Sequence, residues 1–69
     1  MLLEIIQVGS PVTIGDDVPA KIVAVMISEN IHVQYRVSWW NGREHKCEWI
    51  ELFEVKRTKD TQSIKMGFN

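Results

Sequence analysis

Residues 32–50, "HVQYRVSWWNGREHKCEWI", constrain the fold more than any other part of the chain. Val33, Tyr35, Val37 and Trp39 alternate with His32, Gln34, Arg36, Ser38 and Trp40, and a period of two is the mark of a half-buried strand. Asn41-Gly42 follows, a dipeptide suited to the mirror-image turns of tight hairpins. Beyond it His45, Cys47 and Trp49 alternate with Glu44, Lys46 and Glu48. The segment therefore reads as a β-hairpin, and its register decides which side chains face inward, because opposite residues share a face.

Three registers compete. A two-residue loop at Asn41-Gly42 sets Tyr35 opposite Glu48 and Val37 opposite Lys46, charge against apolar surface. A three-residue loop keeps apolar residues opposite each other. It spans either Asn41 to Arg43, pairing Arg36 with Glu48, or Trp40 to Gly42, pairing Arg36 with Lys46. Charge favours the former, and a Gly at the last, left-handed loop position favours the latter. Both three-residue versions predict one inward set: Tyr35, Val37, Trp39, Cys47 and Trp49.

At 69 residues the chain makes one domain at most, and a domain of that size buries only about 60% of its unfolded surface. A composition 45% hydrophobic and 25% charged is that of a globular chain. Val12-Thr13-Ile14, between Gly-Ser-Pro and Gly-Asp-Asp turn signals, predicts a short strand. Residues 20–27, rich in β-branched side chains behind Pro19, predict another. "IELFEV" at 50–55 predicts one helical turn and a brief closing strand. From Lys56 onward the composition turns polar, and a loosely ordered tail is expected.

Five short strands, "VGSPV", "YRVSWWNGR" and a Glu-Trp before a helical turn, "EWIELFEV", resemble an SH3-like small barrel, nearest the Tudor and chromo-like group. The same segments resemble short proteins of phages and prophages. The resemblance covers roughly residues 8–56 and implies an all-β five-stranded barrel with a helical turn before its last strand. Barrels of this group bind peptides, proteins or nucleic acid, so the resemblance implies a binding module without choosing its ligand. The expected organisation is one domain over residues 1–56, with 1–8 as an added apolar segment and 57–69 as a basic tail.

Charge separates along the chain. Residues 1–55 carry four basic against eight acidic side chains, a net of −4, and residues 56–69 carry four basic against Asp60, a net of +3. An acidic body disfavours nonspecific duplex binding, which depends on Lys and Arg neutralising phosphates. Trp40 points away from the inward tryptophans or sits at the hairpin tip. With Arg36, Arg43 and Lys46 it forms the candidate site for a protein or peptide partner; the bland reading has it covering the outer sheet face beside Met26 or meeting the N-terminal segment. The alternative partner is nucleic acid, held by the same residues and by Lys56, Arg57 and Lys59.

Tyr35, Trp39 and Trp49 could in principle build an aromatic cage for a methylated cation, but a core this small needs such rings for packing. His45 and Cys47 share a face without further ligands, so no metal or other cofactor is expected. Asp16-Asp17 and Glu51-Glu54 lack a neighbouring His, Ser or Lys that would make them catalytic, and the chain is expected not to be an enzyme. One cysteine points to a reducing, cytoplasmic compartment, and no apolar run approaches a membrane span. "MLLEIIQV" has five Leu, Ile or Val in eight residues. It is expected to pack within the chain as an extra strand, or else to mediate self-association, as in a structural piece of a larger assembly.

Overall fold

A computed structural model describes residues 2–67; Met1, Phe68 and Asn69, the outermost residues of the two predicted terminal segments, lie outside the described residues. The described chain is all-β. Seven strands follow in order: β1 (Leu2–Ile6), β2 (Pro11–Ile14), β3 (Val18–Ile27), β4 (Val33–Asn41), β5 (Glu44–Glu51), β6 (Val55–Arg57) and β7 (Ser63–Gly67), with a 3₁₀ turn at Leu52–Glu54. They form two sheets, one of them five-stranded. The larger has the order β5-β4-β3-β2-β6, and β1 pairs with β7 in a separate ribbon.

The polar tail is the clearest departure. Residues 57–69 were expected to be loose, yet Ile64 and Met66 lie opposite Ile5 and Leu3 in an antiparallel ladder. Short-range composition misses this, because "SIKMG" becomes a strand only when the N-terminal strand lies beside it. The expected boundary at residue 56 also falls inside β6. The apolar N-terminal segment does pack within the chain: Ile5 and Ile6 are buried, whereas Leu2 stays exposed.

Two of the polar ties between the ribbon and the larger sheet involve buried side chains. The Ile6 amide donates to the Tyr35 hydroxyl at 3.0 Å in a buried bond. Buried Ser10 accepts the Gln62 amide at 3.1 Å and donates to the Gln62 carbonyl at 3.2 Å. The core between the sheets is small and mostly aliphatic: Ile6, Val12, Ile22, Tyr35 and Val37 are buried, with Ile14, Val25, Trp39 and Ile50 among those packed around them. Burial of each aliphatic member is worth about 1.5–3 kcal/mol.

β3 is long enough to serve two partners. Its first half, Val18 to Lys21, pairs with β2, and from Lys21 onward it pairs with β4. The register slips by one residue between Ile22 and Ala24, a bulge that bends a strand and increases its twist. β3 starts at Val18, two residues before its predicted start, and so includes Pro19.

The hairpin takes none of the three predicted registers. Asn41 pairs with Glu44 and Trp40 with His45, so the loop is Gly42-Arg43. Gly42 has φ +63° and Arg43 is not among the residues with positive φ, the signs of a type II′ turn with Gly at its first central position. Tyr35, Val37 and Trp39 face inward as expected. On β5 every face is exchanged, because a one-residue slip inverts a strand. Cys47 and Trp49, predicted inward, lie opposite Ser38 and Arg36 on the outer face, and Lys46 and Glu48 lie opposite Trp39 and Val37. This is tolerable because β5 is an edge strand: Glu48 is exposed at the rim, and Lys46 reaches Glu44 at 2.9 Å.

Two stability predictions follow from these contacts. Tyr35→Phe leaves the Ile6 amide buried without an acceptor, so unfolding free energy should drop by about 1–3 kcal/mol. Amide exchange in β1 and β7 should speed up more than in β4. Ile31 adopts φ +57°, a left-handed conformation that costs a residue with a Cβ about 1–2 kcal/mol and a β-branched one especially. Ile31→Asn should raise the urea midpoint without moving the other turns, as read by denaturation and amide spectra.

Candidate functional site

The inverted β5 places aromatic side chains on the outer face of the β3–β4–β5 sheet. Trp40 is 68% exposed and Trp49 is 44% exposed. Trp40 and His45 are cross-strand neighbours whose rings lie 5.0 Å apart at a 45° tilt. Going along the ladder, the next outer pairs are Ser38 with Cys47 and Arg36 with Trp49. The two tryptophans thus stand about 13 Å apart on one face, four residues of strand rise. Arg36 Nε donates to Cys47 Sγ at 3.1 Å, and Cys47 stands between His45 and Trp49 on this face. Met26, opposite Gln34 on the same face, adds exposed apolar surface.

At the hairpin end a groove of about 400 Å³ opens between the start of β3 and the tip of β4–β5. It is lined by Pro19, Ala20, Lys21, Ser38, Trp39, Trp40 and His45. A concave site with an aromatic wall and a few polar groups is the form ligand sites commonly take.

The predicted site residues separate. Trp40 and Arg36 share the outer face, Arg43 stands exposed in the turn, and Lys46 lies across the sheet, paired with Glu44. Trp49, Lys21 and His45 join the site although sequence reasoning placed none of them there. A Gly-x turn beginning at Gly42 was the signal that could have located Trp49 and His45. The aromatic cage does not assemble: Tyr35 is 1% exposed, and Trp49 lies on the opposite face from Trp39.

The basic segment also separates from Trp40. Lys56 and Arg57 belong to β6, at the opposite edge of the sheet from β5. Lys56 Nζ donates to the Gly15 carbonyl at 3.1 Å and lies 3.7 Å from Asp17. Arg57 lies 3.6 Å from Glu4 on β1. Lys59 lies in the turn that leads to β7. The positive charge of residues 56–59 is therefore not continuous with the Trp40 groove.

Among the described residues no group of three or more His, Cys, Asp or Glu side chains is placed to share a metal ion, and no helix is long and apolar enough to cross a membrane. Of the carboxylates singled out in the sequence, Glu51 and Glu54 have structural partners. Glu51 receives His32 Nε2 at 2.6 Å and Gln34 Nε2 at 3.1 Å, and Glu54 receives the Glu51 amide at 3.0 Å. The sequence offered no histidine for Glu51, and the fold supplies His32. Ser28 Oγ donates to the His32 carbonyl at 3.4 Å, so the nearby hydroxyl bonds the backbone of His32 and not its ring. Comparison with family models, with curated proteins and with solved structures finds no match for the chain.

The His32 hydrogen bond is the main reason that the Glu51 carboxyl titrates below its ordinary value of 4.5, with the Gln34 bond helping and desolvation opposing. A carboxylate with a lowered native pKa stabilises the fold above its unfolded-state pKa, and that contribution is lost as pH falls through the native value. His32→Ala should move the Glu51 midpoint upward toward 4.5 in a carboxyl NMR titration and weaken the acid dependence of unfolding below it.

Proposed function

We propose that the chain is a non-enzymatic binding module that engages a partner protein or peptide through the outer face of β3, β4 and β5. The observation that carries this reading is the exposure of Trp40 and Trp49 on one face of a chain whose core is built mainly from Ile and Val. Large exposed aromatics are costly to leave in water and are the side chains most often responsible for binding energy at protein interfaces. Arg36 between them adds a charged group well suited to an interface. The order β5-β4-β3-β2-β6 with a 3₁₀ turn before β6 supports the finer reading of an SH3-like, Tudor-like barrel, and the resemblance of residues 8–56 is the ground for an origin among phage or prophage proteins. The single Cys47 is the ground for placing the module in the cytoplasm.

The nucleic-acid alternative is less well supported, since Lys56 and Arg57 sit at the far sheet edge and are engaged by Gly15, Asp17 and Glu4. Deleting residues 56–69 is also a poor test of it, because that removes β6 and β7; charge substitutions at Lys56, Arg57 and Lys59 are the proper probe. Self-association through the N-terminal segment has lost Ile5 and Ile6 to the interior and keeps Leu2.

Affinity capture followed by mass spectrometry tests the reading. Partners retained by the parent protein should be lost from both Trp40→Ala and Trp49→Ala, each truncation weakening binding about 30-fold or more if the residue is an anchor. Trp40 is mostly exposed, so its truncation should change stability by no more than about 0.5 kcal/mol; Trp49, more than half covered, should cost about 1–2 kcal/mol and leave the fold intact. Equal capture by both variants would refute the assignment.

A further inference from the structure

The Trp40 groove lies where the sheet forks. Beyond the Lys21–Ser38 pair, Val18 to Ala20 are laddered to β2 on one side only, and Trp39 to Asn41 to β5 on one side only. Backbone polarity on the two arms can be traced from the hydrogen bonds. The Ile22 amide donates to the Ser10 carbonyl and its carbonyl accepts the Gly9 amide, so the backbone groups of Ile22 face away from β4. Alternation along a strand then turns those of Lys21 and Pro19 toward β4, and, across the Lys21–Ser38 pair, those of Trp40 toward β3. The fork is edged by the Pro19 carbonyl and by the Trp40 amide and carbonyl, none with a ladder partner. Pro19 fits this place because its missing N–H falls on the open side.

Free strand edges beside side-chain pockets are the elements with which a sheet receives an extended polypeptide. A polypeptide repeats its donors and acceptors at strand spacing, whereas a sugar-phosphate chain does not. The charge of the groove narrows the ligand further. Lys21 and His45 line it without a carboxylate, and Arg36 and Arg43 stand on the adjoining face and turn. The nearest acidic residues along the chain have cationic partners of their own: Glu44, next to His45, is held by Lys46 at 2.9 Å, and Asp17, in the β2–β3 turn before Pro19, lies 3.7 Å from Lys56.

We propose that the fork takes an extended, acidic segment of a partner protein. The segment adds beside Trp40 through backbone hydrogen bonds, lays an apolar side chain on the Trp40 indole and sets a carboxylate against Lys21. This assignment rests on the reading of the outer face as a protein-binding surface and names the chemistry of the ligand.

The test is an amide NMR titration of the full-length labelled chain with two pools of blocked nonapeptides. One alternates Asp or Glu with Leu, Val or Phe, and the other has Asn and Gln in place of the acids; a single-stranded oligothymidine is the third probe. The acidic pool should shift residues 19–21 and 38–45 and slow exchange of the Trp40 amide. Lys21→Glu should weaken that binding at least tenfold, while Arg57→Gln, at the far edge, should leave it unchanged. Equal binding of the neutral pool, or binding indifferent to Lys21→Glu, overturns the acidic ligand and leaves the protein-binding surface standing. No shift with either pool at millimolar peptide overturns the fork as a peptide site, while capture by Trp40→Ala and Trp49→Ala judges the wider reading separately. Shifts with the oligonucleotide alone overturn both.

Discussion

Tyr35 is the side chain on which the arrangement of the two sheets depends. Its ring is part of the buried core of the larger sheet, and its hydroxyl accepts the amide of Ile6 on the ribbon. A two-stranded ribbon is marginal in water by itself, and β1–β7 gains stability by sending Ile6 into that core. The bond to Tyr35 makes the burial possible, since the Ile6 amide would otherwise be dehydrated without a partner. Ser10 performs the same task at Gln62. A chain of this size can bury little surface, so a few polar ties at the seam between its sheets matter disproportionately.

The outer face follows from a different constraint, the turn at Gly42-Arg43. With Gly at the first central position the hairpin closes one residue later than Asn41-Gly42 would close it, and β5 turns over relative to either three-residue register. That inversion exposes Trp49, brings His45 against Trp40 and sends Lys46 and Glu48 to the inner side of an edge strand. Charged residues on an edge are a common protection against pairing with other chains. The open end of the fork, edged by Pro19 and Trp40, coincides with the aromatic groove.

Much of the fold was legible locally. The alternation of residues 33–40, the β-branched run Val12 to Ile14, the apolar run ending at Ile27 and the helical turn after Ile50 each appear close to their predicted places, because each signal lies within a few neighbouring residues. Trp40 was legible as an outward aromatic for the same reason. Its companions were not: Lys21 reaches the site from another strand, while His45 and Trp49 reach it through a register that differs from its rivals by one residue. Lys56 and Arg57 looked available in the sequence and are engaged in the fold by residues about 40 and 53 positions earlier, contacts that no short-range pattern encodes.

By itself, then, the sequence determined an all-β chain with a central hairpin, an inward Tyr35-Val37-Trp39 face and an outward Trp40, since period-two alternation and turn chemistry are properties of adjacent residues. Tertiary structure decided which face of β5 is buried, that residues 63–67 become a strand, and that the groove opens beside Lys21. Those outcomes depend on pairing between distant segments, where a one-residue difference in register exchanges core for surface.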